Sequence, residues 1–185
     1  MEFGLIGKKL SHSFSKSYFE EKFLKLNLSN YSYSLFEIND ISELKNIINS
    51  TSKLKGLNVT FPYKESIVPF LDEIDKEAEE IGAINTIIIS DINGKKHLKG
   101  YNTDVFGFRN SIKPFLLNTH ERALILGTGG ASKAIDFVLK KLGIQTLFVS
   151  RNPIEGQIGY QEINKYAREI NHVQHFAIGF CQKTL

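Results

Sequence analysis

Three short runs bring together residue types that can hold a small polar ligand and handle its protons. "NVTFPYKE", Asn58 to Glu65, sets an asparagine, a threonine and a lysine around the end of one apolar stretch. "GAINT" adds Asn85 and Thr86, and "GYNTDVFGF" places Asn102, Thr103 and Asp104 where a strand pattern gives way to a helical one. Amides and hydroxyls can bind a ligand's hydroxyl groups, and lysine and carboxylate can exchange protons with them. "KLSHSFSKS" supplies Ser11, Ser13 and Ser15 just before a helix, where hydroxyls and free N–H groups can cradle a carboxylate. Each residue alone also has an ordinary reading. Serines cap helices, Thr103 or Asp104 is an N-cap, Lys64 is a surface lysine beside Glu65, and His12 is structural. Their gathering at element ends favours a site, because open α/β sheets bind ligands at strand ends.

A second kind of site is written in "LILGTGGASKA". Gly127 ends a strand, Thr128 follows, Gly129 and Gly130 open a helix, and Ala131 and Ser132 continue it. Small residues at such a turn let backbone approach a pyrophosphate, whose charge sits against the helix N-terminus. A tight turn without a ligand is the alternative; the strand before and the helix after favour the dinucleotide. The next strand ends in Ser150, Arg151 and Asn152, with no Asp or Glu to take a ribose 2′-hydroxyl. An arginine there can pair with a 2′-phosphate, which favours NADP over NAD, or simply begin a solvated loop.

The elements that must position these residues alternate along the chain. "EFGLIG" is a strand; "SHSFSKSYFEEKFLKLNL" is a helix with Phe19, Phe23 and Leu26 on one side, and Ser17 and Glu20 are spaced as a capping box. "YSYSLFEI" is a strand, "DISELKNIINS" a helix capped by Asp40, and "LKGLNVTFP" a buried strand that Pro62 ends. "DEIDKEAEEIGA" is a helix closed by Gly82, and "INTIIISD" and "KKHLKGYN" flank the hairpin signal Asn93-Gly94. "TDVFGFRNSIKPF" is helical until Pro114. "RALILG", "GGASKAIDFVLKKLG" and "IQTLFVS" then form a βαβ unit, which implies parallel strands. "HVQHFAIGF" reads as a third strand. The domain boundary falls near Asn102, giving an α/β fold with domains 1–102 and 103–185.

Composition narrows the class. The 185 residues are 42% hydrophobic and 23% charged, ordinary values for a soluble globular protein. A net charge of +3, with lysines spread along the chain, gives no support for nucleic-acid binding. The one cysteine, Cys181, provides neither a disulfide pair nor a zinc cluster, so no metal is expected. The N-terminus lacks a signal-peptide pattern, and no apolar stretch approaches the ~20 residues of a membrane span. A cytoplasmic protein without a membrane partner is the expectation.

"HSFS", "NVTFPYKE", "GAINT", "GYNTD" and "GTGGASKA", in this order and spacing, closely resemble the shikimate dehydrogenase family. The resemblance runs from the first strand to about Arg151. It implies interconversion of 3-dehydroshikimate and shikimate with NADP(H), on the route to chorismate and the aromatic amino acids. It implies a catalytic pair, Lys64 and Asp104, and a carboxylate cradle, Ser13 and Ser15. Asn58, Thr60, Asn85 and Asp104, together with Lys64, would bind the ring hydroxyls. Gly127, Thr128, Gly129, Gly130, Ala131 and Ser132 match the phosphate loop, and Ser150, Arg151 and Asn152 the 2′-phosphate corner. Two features depart from the pattern. Lys16 stands where the family usually has proline, and "REINHVQHFAIGFCQKTL" does not resemble the family, whose next strand carries Asn-Thr-Thr or Ala-Thr-Ser. The expectation is therefore an N-terminal shikimate-binding domain followed by an incomplete, truncated Rossmann-type NADP-binding domain, as monomer or homodimer. The alternatives are a non-catalytic fragment that only binds shikimate or nucleotide, and a quinate/shikimate dehydrogenase of broader specificity.

Overall fold

The computed structural model describes residues 1–165 and the strand 174–179, and the chain divides into two compact units, Met1–Asn102 and Thr103–Leu185. The first unit is built on β1 (Glu2–Gly7), β2 (Ser32–Glu37), β3 (Leu54–Val59), β4 (Glu73–Ile74), β5 (Thr86–Ile92) and β6 (Lys95–Tyr101). These form one mixed sheet in the order β2-β1-β3-β5-β6-β4. β1 runs parallel to both β2 and β3, whereas β5 pairs antiparallel with β3 and β6. The carboxyl ends of β1, β2 and β3 therefore share one edge of the sheet with the start of β5 and the end of β6. Asn58 pairs with Thr86, and Thr86 with Tyr101, at that edge.

Alternation along β1 separates two cores. Leu5 joins Leu10 and Tyr33 in an aromatic-rich layer with Phe3, Phe19 and Phe23. Ile6 points to the larger cluster, which includes Leu44, Leu57, Val59, Ile67 and Ile87. Burying each such aliphatic side chain contributes roughly 1.5–3 kcal/mol. Helix α1 (Ser15–Lys25) covers the aromatic side, and α2 (Leu44–Ser50) buries Leu44 and Ile48 in the larger cluster. α3 (Tyr63–Ser66) is a single turn, and α4 (Lys76–Ile81) buries Ala78 and Ile81.

Local chemistry sets most boundaries. Asp40 accepts from Ser42 N at 2.8 Å while Glu43 reaches back to Asp40 N, a reciprocal cap ahead of α2. Asn93 and Gly94 both have positive φ, 53° and 78°, as the tight turn between β5 and β6 requires. Gly82 closes α4 in the left-handed conformation. Two boundaries differ from expectation. The Ser17–Glu20 capping box does not form: α1 starts at Ser15, so Ser17 lies inside the first turn and its hydroxyl donates to Phe14 O at 3.0 Å. The helix expected from Asp72 starts instead at Lys76, because Asp72 N bonds Leu98 O at 3.0 Å and ties the preceding residues to β6 as β4.

The second unit holds α5 (Asp104–Ile112), β7 (His120–Leu126), α6 (Gly130–Lys141), β8 (Gln145–Ser150), β9 (Gln157–Gly159) and β10 (Gln174–Gly179). The strands form an all-parallel sheet in the order β10-β7-β8-β9. α6 buries Ala134, Ile135, Val138 and Leu139, at helical spacing, and Ile135 and Leu139 pack with Ala123 and Ile125 of β7. α5 stops at Ile112, where Lys113–Phe115 tightens into a 3-10 turn around Pro114. β9 has no counterpart among the elements expected from sequence. Of "HVQHFAIGF", residues 174–179 form β10; the remainder of the divergent tail, with Cys181, lies outside the described residues.

Candidate functional site

The turn after β3 shapes the first part of the site. The strand ends at Val59, and Thr60 N donates to Ile6 O at 2.9 Å, which carries the chain past the end of β1. The Phe61–Pro62 peptide bond is cis, and α3 begins at the next residue. Tyr63 anchors this turn: its hydroxyl donates to Ile38 O at 2.7 Å, and burial, aided by Asp40 and Glu43, raises its pKa. Ile84 N donates to Lys64 O at 2.6 Å. Lys64 thus sits on a short helix, not at the strand end itself, and is half-buried.

A line of hydrogen bonds runs along the sheet edge beside this turn. Tyr33 donates its phenol O–H to Asn58 Oδ1 at 2.8 Å. Asn58 Nδ2 donates to Thr86 Oγ1 at 3.4 Å, and the Thr86 hydroxyl donates to Asn85 Oδ1 at 2.9 Å. Asn85 is buried, and its backbone carbonyl accepts from Val59 N at 2.8 Å. Asn102, also buried, donates through Nδ2 to Ala83 O at 2.8 Å. The edge can therefore present amide and hydroxyl groups held in fixed orientations. Burial raises the Tyr33 pKa to about 12, and a side-chain hydrogen bond with Ser15 works in the opposite direction.

Ser15 opens α1, and its N–H donates to Ser13 Oγ at 3.2 Å. The loop before it is held at Leu10, whose N–H donates to Glu37 Oε1 at 2.5 Å, and Ser13 N bonds Leu10 O at 2.8 Å. Ser13, Ser15, Asn58 and Thr60 are all half-buried, whereas His12 is exposed. Sequence reasoning missed Tyr33 and Glu37. A tyrosine on the buried face of a strand was the available signal, since its hydroxyl requires a partner there.

In the second unit, Thr103 holds the N-cap position of α5 without a side-chain capping bond, and Asp104 is the helix's first residue. The loop between β7 and α6 starts at Gly127, whose φ of +114° is one that only glycine adopts readily. Gly127 N bonds Val149 O at 2.9 Å, fixing the loop to β8. Gly129 caps α6 in an extended conformation, and a Cβ there would meet nothing within 4 Å. Gly127 is half-buried, Thr128 and Gly129 are exposed, and Ser132 is buried. At the end of β8, Ser150 Oγ accepts from Asn152 N at 3.2 Å, and Arg151 and Asn152 are exposed. Among the described residues, no three His, Cys, Asp or Glu side chains gather to hold a metal ion, and no helix is long and apolar enough to cross a membrane.

These features define a two-unit α/β protein, one unit carrying a polar sheet edge and the other a glycine loop between parallel strands. A family model described as the shikimate dehydrogenase substrate binding domain matches residues 5–87. The shikimate dehydrogenase (NADP(+)) of Methanosphaera stadtmanae is 42% identical over 149 residues, covering 80% of this chain and 50% of that protein. Shikimate dehydrogenase 1 from Peptoclostridium difficile superposes with a TM-score of 0.78 at 36% identity, over 99% of this chain and 69% of that one. The Thermus thermophilus enzyme, in complex with NADP(H) and shikimate, gives a TM-score of 0.70 at 28% identity, over 97% and 63%. The chain belongs to the shikimate dehydrogenase family. It spans about half the length of curated relatives that it matches.

Proposed function

We propose that the chain carries the binding and proton-transfer groups for NADPH-dependent reduction of 3-dehydroshikimate to shikimate, a step toward chorismate and the aromatic amino acids. The observation that carries this reading is the hydrogen-bonded edge Asn58–Thr86–Asn85 beside the turn that bears Lys64. Ser13 and Ser15 take the ring carboxylate. Asn58, Thr60 and Asn85 hold ring hydroxyls, and Lys64 and Asp104 handle the proton of the hydroxyl that is a ketone in the oxidised partner. In the reductive direction the Lys64 ammonium gives its proton to the carbonyl oxygen; in the reverse direction the amine takes it back.

The second unit fits a dinucleotide. Open space over Gly129, the positive φ of Gly127 and the twelve-residue α6 let backbone N–H groups face a pyrophosphate at Gly127–Ser132. Ser150, Arg151 and Asn152 would take a 2′-phosphate, which favours NADP. When bound, the reduced cofactor supplies a hydride; the protein's part is to hold the two ligands and move the proton.

Because the chain spans only part of its relatives, binding of shikimate without turnover is the second reading. Absorbance at the NADPH band, with shikimate and either NADP or NAD, is measured beside calorimetric titration of shikimate. NADP-dependent turnover supports the proposal, and binding heat without turnover selects the second reading. Neither signal would overturn both.

A further inference from the structure

We propose that Tyr33 is a positioning residue for ligand recognition, its hydroxyl fixing the Asn58 side-chain amide so that Asn58 offers the ligand an N–H donor. This rests on the shikimate-binding reading of the same edge. Tyr33 is 3% exposed, and its ring stacks on Phe19 with centroids 4.5 Å apart and planes 8° from parallel. A phenylalanine would supply that packing equally well. The hydroxyl is thus surplus to the core, and a buried hydroxyl costs stability unless it is bonded. Here it is bonded to two residues of the candidate site: it donates to Asn58 Oδ1 at 2.8 Å and shares a side-chain hydrogen bond with Ser15.

The consequence for Asn58 is one of polarity. An asparagine amide can turn over, exchanging its carbonyl oxygen for its NH2 group at almost no steric cost, and only its partners decide which edge faces where. Tyr33, a neutral phenol at neutral pH whose proton burial holds more firmly still, acts there as a donor. It selects the orientation with Oδ1 toward itself and Nδ2 toward Thr86. Thr86 in turn donates to Asn85 Oδ1, so the direction of donation is set along Asn58, Thr86 and Asn85 by one phenol on β2, across β1 from Asn58. A ring hydroxyl at Asn58 would be recognised through its oxygen as an acceptor. Ser15, at the opening of α1, is tied to the same phenol, so the carboxylate and hydroxyl ends of the site share a reference point.

The test uses Tyr33→Phe, which keeps the ring. Calorimetry should show shikimate binding weakened roughly threefold to tenfold, the loss of one hydrogen bond's worth of order. Adding Tyr33→Phe to Asn58→Ala should weaken binding by clearly less than Tyr33→Phe does alone, because the hydroxyl then has no amide to orient and only its bond with Ser15 remains to be lost. Independently of any ligand, the Asn58 side-chain NH2 protons should exchange slowly in the unsubstituted protein and at least several-fold faster in Tyr33→Phe. Unchanged binding by Tyr33→Phe, full additivity with Asn58→Ala, or fast exchange of the Asn58 amide in the unsubstituted protein would each overturn the inference. No binding of shikimate by the unsubstituted protein would overturn the proposed function and, with it, the ligand named here; the exchange measurement would still report whether Tyr33 sets the amide.

Discussion

Ile84 donates its backbone N–H to the carbonyl of Lys64 at 2.6 Å, so the base of the lysine side chain is fixed to the strand entry that carries Asn85 and Thr86. Main-chain bonds set where the lysine sits, and these survive a change of side chain. The expected consequence is a separation of chemistry from binding. Lys64→Met should reduce turnover by a factor of roughly a hundred or more while shikimate binding stays within a few-fold. Steady-state assay and calorimetry on the same protein measure the two. A variant with near-normal turnover would remove Lys64 from the proton-transfer role.

Two glycines should respond in opposite ways to the same added methyl group. A Cβ at Gly4 would lie 2.4 Å from the Phe36 ring and 2.7 Å from Ser34 O, in the middle of the sheet. Gly4→Ala should cost about 1–3 kcal/mol, the usual penalty of overpacking. A Cβ at Gly129 meets nothing, and its backbone is extended, so Gly129→Ala should leave the denaturation midpoint unchanged. It should nonetheless weaken NADP binding by roughly tenfold or more, since the methyl occupies the space a pyrophosphate would use. Denaturant titration of both variants and fluorescence titration of NADP with the second check this. Unweakened NADP binding by Gly129→Ala would argue against the loop as the phosphate site.

The alternation of strands and helices was legible because each element carries its own periodicity, and the hairpin at Asn93-Gly94 because positive φ at two successive residues restricts the residues that fit there. The short strands were not legible. β4 is two residues and β9 three, too few for a pattern, and both exist only because a longer neighbour pairs with them. Of the candidate site, the chain's own residue types pointed to Asn58, Thr60, Lys64, Asn85 and Asp104 at element ends. The link between Tyr33 and Asn58 spans 25 residues of sequence and two strands of sheet, so no local signal carries it. A similar limit hid Glu37, whose carboxylate holds a backbone N–H 27 residues away.

Cofactor choice gives a third expectation. Arg151 is exposed at the end of β8, so solvent screens its pairing with a phosphate, and the effect belongs at the low end for a charged hydrogen bond. Arg151→Ala should weaken NADP binding by roughly tenfold and change NAD binding little. Competition titrations with the two cofactors report the ratio directly. Equal losses for both would mean that Arg151 does not read the 2′-phosphate.

The Tyr33 phenol also ties stability to alkaline pH. Its pKa stands at about 12 in the folded protein against an ordinary 10.0, because burial opposes the phenolate. Below the unfolded value both states keep the proton, and the stabilisation from the neutral phenol is fully present. Between the two values the unfolded chain releases its proton while the folded chain retains it, so stability falls as pH rises, by at most about 1.4 kcal/mol per pH unit from this group. Lysines and other tyrosines titrate in the same window, so the comparison must be made against Tyr33→Phe, which keeps their contributions and deletes only this one. The stability of the unsubstituted protein relative to Tyr33→Phe should be flat up to about pH 10 and then decline toward about pH 12, as read from urea midpoints at several alkaline pH values. A difference that stays constant across that window would mean that the Tyr33 hydroxyl ionises as easily in the folded protein as in water, which neither its burial nor its bond to Asn58 would then explain.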